Sequence, residues 1–168
     1  MTVHIQDSPV LAFREAGEAG DAEALLATLT PEAAFHSPLS ATAGFQGREQ
    51  LRELFHAVFD VMSDLRYHTD VGDERTRMVA STARIGRTAL EESALLRLNG
   101  DGLIEEVTVW MRPLPALTAF MAALGPRMAR ATGRPGLPLL VSAAVGPLAA
   151  MTRLGDRTLV PMLTKRRS

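Results

Sequence analysis

The spacing of hydrophobic residues changes once along the chain, from helical to strand-like. In residues 9–19 and 48–62 apolar side chains recur every three or four positions, which predicts two amphipathic helices. Ser8 can cap the first of them, and Asp21 can cap a short helix that follows it. Residues 33–37 then predict a short strand, before a loop rich in small residues that leads to the later helix.

From Leu65 to Arg112 apolar and polar residues alternate, as in strands that are covered on one face. Turn residues at Gly72–Glu74, Gly86 and Asn99–Gly102 divide this stretch into four strands, and the last turn is typical of a β-hairpin. In the first of these strands the alternation assigns four residues to one face: Leu65, Tyr67, Thr69 and Val71. The order of elements predicts an α+β fold, with an antiparallel sheet that curls around the first helix and encloses a cavity.

Residues 113–168 have a different character. Apolar residues recur at helical spacing from Leu117 to Met128, and Gly133–Pro138 interrupts that pattern. Residues 135–152 carry no charge, which reaches the length of a membrane span. Their three prolines and many alanines argue against a span, because they weaken helix continuity and hydrophobicity. The pattern favours a helix that lies on a partner surface.

Length and composition limit the classes of function. The 168 residues suffice for one ordinary domain, and 46% hydrophobic with 22% charged residues is typical of a globular protein. The absence of cysteine excludes disulfides, thiol nucleophiles, iron–sulfur clusters and cysteine-built zinc sites. The N-terminus has neither the basic patch nor the apolar core of a secretory signal, so we expect a cytoplasmic protein. The histidines lack metal-ligand spacing, and neither a metal nor another cofactor is expected: His4, His36, His56 and His68.

Charge is distributed unevenly along the chain. Residues 1–112 carry a formal charge of −8, whereas residues 113–168 carry +7. A basic segment of this kind can dock on an acidic protein surface, on anionic lipid or on nucleic acid. We expect it to pack as a helical extension on the acidic domain or on a partner subunit, with binding to a membrane surface as a further alternative. Nucleic acid is not expected as a partner, because the arginines are scattered and aromatic residues are few.

Several short motifs recur in the order of a known fold family. They are the Gly20-Asp21 break, residues 31–35 leading to Ser37-Pro38, Gly47 before a helix, and residues 99–106 before the last strand. On these motifs, residues 9–112 resemble the nuclear transport factor 2-like superfamily, which includes SnoaL-like polyketide cyclases and ketosteroid isomerases. The resemblance implies a domain over residues 1–112 whose cone-shaped, curved sheet surrounds a mostly apolar pocket, commonly in a homodimer.

The resemblance also shows where catalytic groups of related enzymes would lie. The tyrosine, the base and the second acid of the ketosteroid isomerases fall on Phe13, Ser37 and Ala94. Ketosteroid isomerisation is therefore not expected, because neither a proton-transferring carboxylate nor a donor to the oxyanion remains at these positions. The limonene epoxide hydrolases need an Asp–Arg–Asp relay, and residues 107–111 offer no carboxylate for it.

Glu92 remains as a candidate for acid–base chemistry. It shares a strand face with Ala94, which the resemblance turns toward the pocket. Burial among apolar neighbours would raise the pKa of Glu92 and make it a general acid or base. The alternative is a carboxylate at the pocket rim that pairs with Arg77 or Arg84. Ser37 would also face the pocket, but the sequence shows no base beside it, so a nucleophilic role is not expected.

The strand alternation and the resemblance together predict which residues line the pocket and which lie on the outer face of the sheet. The expected pocket residues are mostly apolar and suit a polyketide, steroid or terpenoid-like molecule: Phe13, Phe35, Ser37, Phe55, Ala94, Val107, Val109 and Met111. Thr108 and Trp110 point to the outer face, where we expect a subunit interface. Two functions remain open: isomerase or cyclase chemistry through Glu92, and a non-catalytic module that binds an apolar ligand or dimerises.

Overall fold

The computed structural model describes residues 9–42, 44–131 and 133–164. Within these ranges the elements follow the predicted α+β order, with a further short strand before the third helix. They are α1 (Pro9–Ala19), α2 (Ala22–Ala27), β1 (Leu29–His36), β2 (Gly44–Gln46), α3 (Arg48–Phe59), β3 (Met62–Gly72), β4 (Thr76–Ile85), β5 (Thr88–Leu98), β6 (Ile104–Arg112), α4 (Leu114–Ala131) and α5 (Leu137–Thr164). The predicted cap at Ser8 lies outside the described residues.

The N-terminal helices bury the faces that their periodicity predicted. The buried residues of α1 are Val10, Phe13, Ala16 and Gly17, and those of α3 are Leu51, Leu54 and Phe55. Between α1 and α2 the chain reverses at Gly20, whose φ of 68° suits glycine. The side chain of Asp21 then accepts a hydrogen bond from the backbone N–H of Ala24 at 2.9 Å and caps α2.

The sheet is mixed and open, with strand order β2-β1-β6-β5-β4-β3. The strands β3 to β6 form antiparallel hairpins as predicted, but β1 runs parallel to β6, with Phe35 opposite Val107. The prediction of a purely antiparallel sheet was therefore wrong at this pair. These two strands are connected through α3 and four other strands, and so long a connection allows them to run in the same direction. The strand β1 also begins earlier than predicted, before Pro31. Proline is tolerated there because the pairing with β6 shifts register between Leu29 and Ala34, so no backbone N–H is required from residue 31.

A bulge changes the face that β3 turns to the helices. Between Tyr67 and Thr69 the pairing with β4 shifts by one residue. Beyond this point Asp70 faces the helix layer, where it binds Arg14 of α1, and Val71 is 56% exposed. The predicted alternation was wrong beyond Tyr67, because one extra residue reverses the inward and outward positions.

The C-terminal helices form a second layer on the domain. The helix α4 buries Ala116, Phe120 and Leu124 in the same hydrophobic core as the sheet and α1 to α3. The helix α5 runs antiparallel to α4, with the hydroxyls of Thr118 and Thr152 2.7 Å apart. It begins at Leu137, within the predicted break at Gly133–Pro138, and it continues through two interior prolines, Pro147 and Pro161, because a proline removes one backbone hydrogen bond and can kink a long helix without ending it.

The turn between β3 and β4 provides a test of the backbone geometry. Gly72 has a φ of 139°, and a Cβ at this position would overlap the carbonyl oxygen of Thr76. We expect Gly72→Ala to lower the free energy of unfolding by at least about 2 kcal/mol, measured by urea denaturation. Gly100→Ala is the matched control, because a Cβ there meets nothing within 4 Å. Equal losses in the two variants would contradict this explanation.

Candidate functional site

A cavity lies between the inner face of the sheet and the helices α1, α3 and α4. It has about 620 Å³ of empty space, counting its open mouth. The structure places all eight residues that were expected to line a pocket in its wall: Phe13, Phe35, Ser37, Phe55, Ala94, Val107, Val109 and Met111. Most of the wall is apolar, so the cavity suits an apolar molecule with few polar groups. Ligand binding by these residues stays a prediction.

Other wall residues were not predicted from the sequence: Leu25, Pro38, Leu54, Val58, Phe59, Met62, Leu65, Tyr67, Phe120 and Leu124. The apolar stripe of α3 and the alternation that pairs Leu65 with Tyr67 were signals that could have found several of them. Phe120 and Leu124 belong to α4, and nothing in their spacing indicated which surface that helix would cover. The C-terminal extension therefore supplies part of the cavity wall.

Aromatic rings build one side of the cavity. The ring of Phe35 meets that of Phe55 edge-on, with centroids 5.9 Å apart and an interplanar angle of 86°. Phe45 packs on the other side of Phe35 at 6.4 Å. Such edge-to-face pairs hold the rings in fixed orientations. Phe35 and Phe55 thus give the cavity wall an aromatic part.

Glu92 brings a carboxyl group into this apolar wall. Arg77 binds Asp70, with Nη2 and Oδ1 2.6 Å apart, and Arg84 donates to the carbonyl oxygen of Arg87. Neither Arg77 nor Arg84 therefore pairs with Glu92. Within the described part of the chain the Glu92 carboxyl has no hydrogen bond or ion pair, and burial raises its pKa to about 7. Glu92 can thus gain or lose a proton near neutral pH, as a general acid or base must.

Three polar side chains form a row across the sheet. Tyr67 of β3 lies opposite Ser81 of β4, which lies opposite Glu92 of β5, and opposed residues on antiparallel strands share a face. The Oγ of Ser81 is buried without a hydrogen-bond partner, and the Tyr67 hydroxyl makes no hydrogen bond to any described residue. Burial, followed by the negative charges of Glu92 and Glu18, raises the pKa of the Tyr67 phenol, which therefore stays protonated. A carboxyl and two hydroxyls are thus left without partners on one face.

Helix α1 holds Tyr67 in place. The phenol packs on Gly17, where a Cβ would lie 3.2 Å from the hydroxyl oxygen. The backbone N–H of Tyr67 donates to Glu18 at 2.7 Å, and the guanidinium carbon of Arg14 lies 5.9 Å from the centroid of the ring. Arg14 is itself tied to Asp70 on the same strand. These contacts position the phenol from the helix side, and a larger side chain at Gly17 would displace it.

Ser37 lacks the surroundings of a nucleophile. It lines the cavity, but its Oγ accepts a hydrogen bond from the backbone N–H of Leu39 at 3.2 Å. The neighbouring His36 points away and lies 3.3 Å from the carboxylate of Glu106. Among the residues that the structure describes, no base contacts Ser37, and no group of three histidine or acidic side chains could hold a metal ion.

The outer face of the sheet carries the two residues expected at a subunit interface. Thr108 and Trp110 lie there, because Val107 and Val109 face the cavity, and Trp110 is 50% exposed. The small residue Ser93 lies opposite Trp110, so the indole borders a shallow depression. A subunit interface at this face stays a prediction.

Comparisons place this architecture among known proteins. The family model of the SnoaL-like domain matches residues 10–112. An uncharacterised protein with a cystatin-like fold from Silicibacter pomeroyi is 25% identical, with a TM-score of 0.69 over 74% of this chain and 88% of that one. A steroid delta-isomerase from Pseudomonas aeruginosa is 24% identical, with a TM-score of 0.66 over 75% and 93%. The epoxide hydrolase/cyclase-like enzyme SalBIII is 18% identical, with a TM-score of 0.54 over 62% and 88%. A search of the curated proteins gave no match.

Glu92 makes the stability of the chain depend on pH. Its pKa rises from 4.5 to about 7 on folding, so the folded state holds this proton more tightly than the unfolded state does. The carboxyl therefore destabilises the fold progressively as the pH rises from 4.5 to 7. We therefore compare the unfolding free energies of Glu92→Gln and the wild type by urea denaturation. The advantage of Glu92→Gln over the wild type should be about 2 kcal/mol larger at pH 8 than at pH 5.

The neighbouring Glu91 provides the control for this measurement. It is exposed on the other face of β5 and pairs with Arg112 at 3.4 Å. Glu91→Gln should show no comparable gain between the two pH values. A gain for Glu92→Gln that is the same at pH 5 and pH 8 would show that its carboxyl is not the titrating group.

Proposed function

Because this chain belongs to the SnoaL-like domain family and turns an unpaired carboxyl into an apolar cavity, we propose that it is an acid–base isomerase or cyclase. Its substrate would be an apolar, carbonyl-bearing small molecule of the polyketide, steroid or terpenoid class. The observation that carries the proposal is Glu92, whose pKa of about 7 suits proton transfer near neutral pH. A carboxyl kept only for structure would be expected to have an arginine or hydrogen-bond partner.

The row of polar side chains supports a specific sequence of steps. The Glu92 carboxylate takes a proton from a carbon next to the substrate carbonyl, and the electron pair of the broken C–H bond moves onto the carbonyl oxygen. The protonated phenol of Tyr67 donates a hydrogen bond to the resulting enolate oxygen. In a substrate with a carbon–carbon double bond at the β,γ position the enolate is a conjugated dienolate, and return of the proton from Glu92 to its γ-carbon moves the double bond into conjugation with the re-formed carbonyl and completes an isomerisation. In a cyclisation, the enolate carbon attacks a second carbonyl carbon of the same molecule, and that carbonyl oxygen receives the proton.

The groups that ketosteroid isomerases use have counterparts at neighbouring positions. Phe13 occupies the position of their helix tyrosine, and Tyr67 brings a phenol to the ring of Phe13 from β3, with centroids 6.3 Å apart. Ala94 occupies the position of their second acid, and Glu92 lies two residues earlier on the same strand face. Acid–base chemistry is therefore compatible with the absence of the tyrosine, the base and the second acid of the ketosteroid isomerases. The substrate would lie in a different orientation in the cavity.

The activities of the structural neighbours agree with this proposal without deciding it. One is described as a steroid delta-isomerase and another as an epoxide hydrolase/cyclase-like enzyme in pyran ring formation. At 24% and 18% identity they share the fold with this chain, and a fold by itself does not imply a function. The proposal therefore depends on the residues of this cavity.

The second candidate is a non-catalytic module that binds an apolar ligand or dimerises. The half-exposed Trp110 beside Thr108 on the outer face supports a homodimer in either case, because a large indole gains from burial against a second subunit. The two candidates differ in what they require of Glu92. Only the catalytic one needs its carboxyl.

Exchange of carbon-bound hydrogen in deuterated water separates the candidates. The probe is 1-tetralone, an apolar bicyclic ketone, and deuterium uptake at the carbon next to its carbonyl is followed by mass spectrometry. We expect wild-type protein to accelerate uptake with a rate that rises as the pH passes about 7, because the carboxylate form of Glu92 is the base. Glu92→Gln should lower the rate by at least about a hundredfold, and Tyr67→Phe by about tenfold or more.

Binding must be measured beside turnover. Native mass spectrometry should show 1-tetralone on the wild type and on Glu92→Gln alike, and Glu91→Gln should keep the full exchange rate. Uptake that survives Glu92→Gln would contradict the mechanism. Binding without any acceleration by the wild type would favour the non-catalytic module.

A further inference from the structure

Helix α5 leaves a long apolar surface uncovered. Its 28 residues span about 42 Å at 1.5 Å per residue. Within Leu137–Leu163 a stretch of 18 residues has a mean hydropathy of 1.5, and 6% of that stretch is buried. By length and composition alone, the helix is apolar enough to cross a membrane. A soluble surface helix normally exposes a polar face, so an apolar partner must cover this one.

The uncovered surface faces away from the domain. The helix contacts α4 along a seam that includes Val141 and Thr152. Away from this seam Leu140, Met151 and Leu154 are 69%, 68% and 62% exposed. No charged residue interrupts the first four turns of the helix.

The end of α5 distinguishes a bilayer from a second protein as the partner. Thr152 of α5 lies beside Thr118, which is four residues from the N-terminus of α4. Because the two helices are antiparallel, the last residues of α5 extend beyond the N-terminus of α4. The consecutive residues 159–162 are Leu, Val, Pro and Met, and all four are exposed. Consecutive helical residues point around the whole circumference, and a docked protein would cover one side of it. At a bilayer surface both the acyl chains and the headgroup layer contact a helix that lies between them, so lipid can cover more of this circumference than a docked protein can.

Positive charge lies at both ends of this apolar surface. Arg134 precedes α5, Arg153 and Arg157 lie on one flank of it, and residues 165–167 are Lys, Arg and Arg. The phosphate groups of anionic lipids complement this charge, whereas the domain of residues 1–112, at −8, is repelled by them. Such a distribution orients the extension toward a lipid surface and the domain away from it.

We propose that α5, together with Arg134, Arg153 and Arg157, binds the surface of an anionic lipid bilayer. The helix lies in the interface, with Leu140, Met151 and Leu154 in the acyl region and Arg153 and Arg157 at the phosphates. Since α4 packs on α5 and also lines the cavity with Phe120 and Leu124, binding holds the cavity one helix away from the lipid.

Flotation of the full-length protein with vesicles tests this proposal. One vesicle preparation contains phosphatidylcholine alone, and the other also contains phosphatidylglycerol. We expect the wild type to float with the anionic vesicles and the double variant Leu140→Glu/Leu154→Glu to bind at least about tenfold more weakly. Arg153→Ala and Arg157→Ala should each weaken binding about fivefold, and only to the anionic vesicles.

Val71→Glu is the control for an added glutamate, because it places one negative charge on an exposed apolar position outside α5. It should bind as the wild type does, and circular dichroism should show that all variants keep their helices. The proposal is overturned if neither vesicle binds the protein, or if the double variant floats as well as the wild type. It is also overturned if an alkaline carbonate wash leaves the protein in the membrane, since α5 would then span it. An oligomer that the double variant dissociates, without lipid binding, would identify a second copy as the partner instead.

Discussion

The register between β3, β4 and β5 is the constraint on which the candidate site depends. It puts Tyr67, Ser81 and Glu92 in one row on the covered face, and a slip of one residue would turn all three side chains outward. Two features hold this register: the tight turn at Gly72, and the bulge after Tyr67 that brings Asp70 to Arg14 of α1. The helix and the sheet are therefore tied together close to the polar row, and the geometry of the row follows from both.

The polar row reduces the stability of the fold. A buried hydroxyl without a partner and a carboxyl among apolar side chains both cost free energy, since neither regains the hydrogen bonds it had with water. The surrounding core offsets this cost with many well-packed apolar side chains, among them Phe35 and Phe55, which meet edge-on. Polar groups without partners inside an otherwise satisfied core are the arrangement expected where a ligand completes the hydrogen bonding.

Much of this fold could be predicted from the sequence, because hairpin turns and periodicity are local signals. The alternation in β5 and β6 put Glu92 on one face with Ala94 and separated Val109 from Trp110, and the resemblance indicated which of the two faces is the inner one. The parallel pairing of β1 with β6 could not be predicted in this way, because it joins strands that are distant in sequence. The bulge in β3 was also hidden, since one inserted residue leaves no mark in composition. The alternation assigned Tyr67 to the same face as Leu65, but the sequence did not connect it with the cavity.

Helix α4 lies between the cavity and α5. One of its faces buries Phe120 and Leu124 in the cavity wall, and the other lies so close to α5 that a Cβ at Gly125 would press on Val141. Helices in such close contact cannot slide past one another without changing their packing, because protein interiors are nearly incompressible. A displacement of α5 by any partner, lipid or protein, must therefore be taken up partly by α4. Since Phe120 and Leu124 of α4 form part of the cavity wall, a displacement of α4 would change the shape of the cavity.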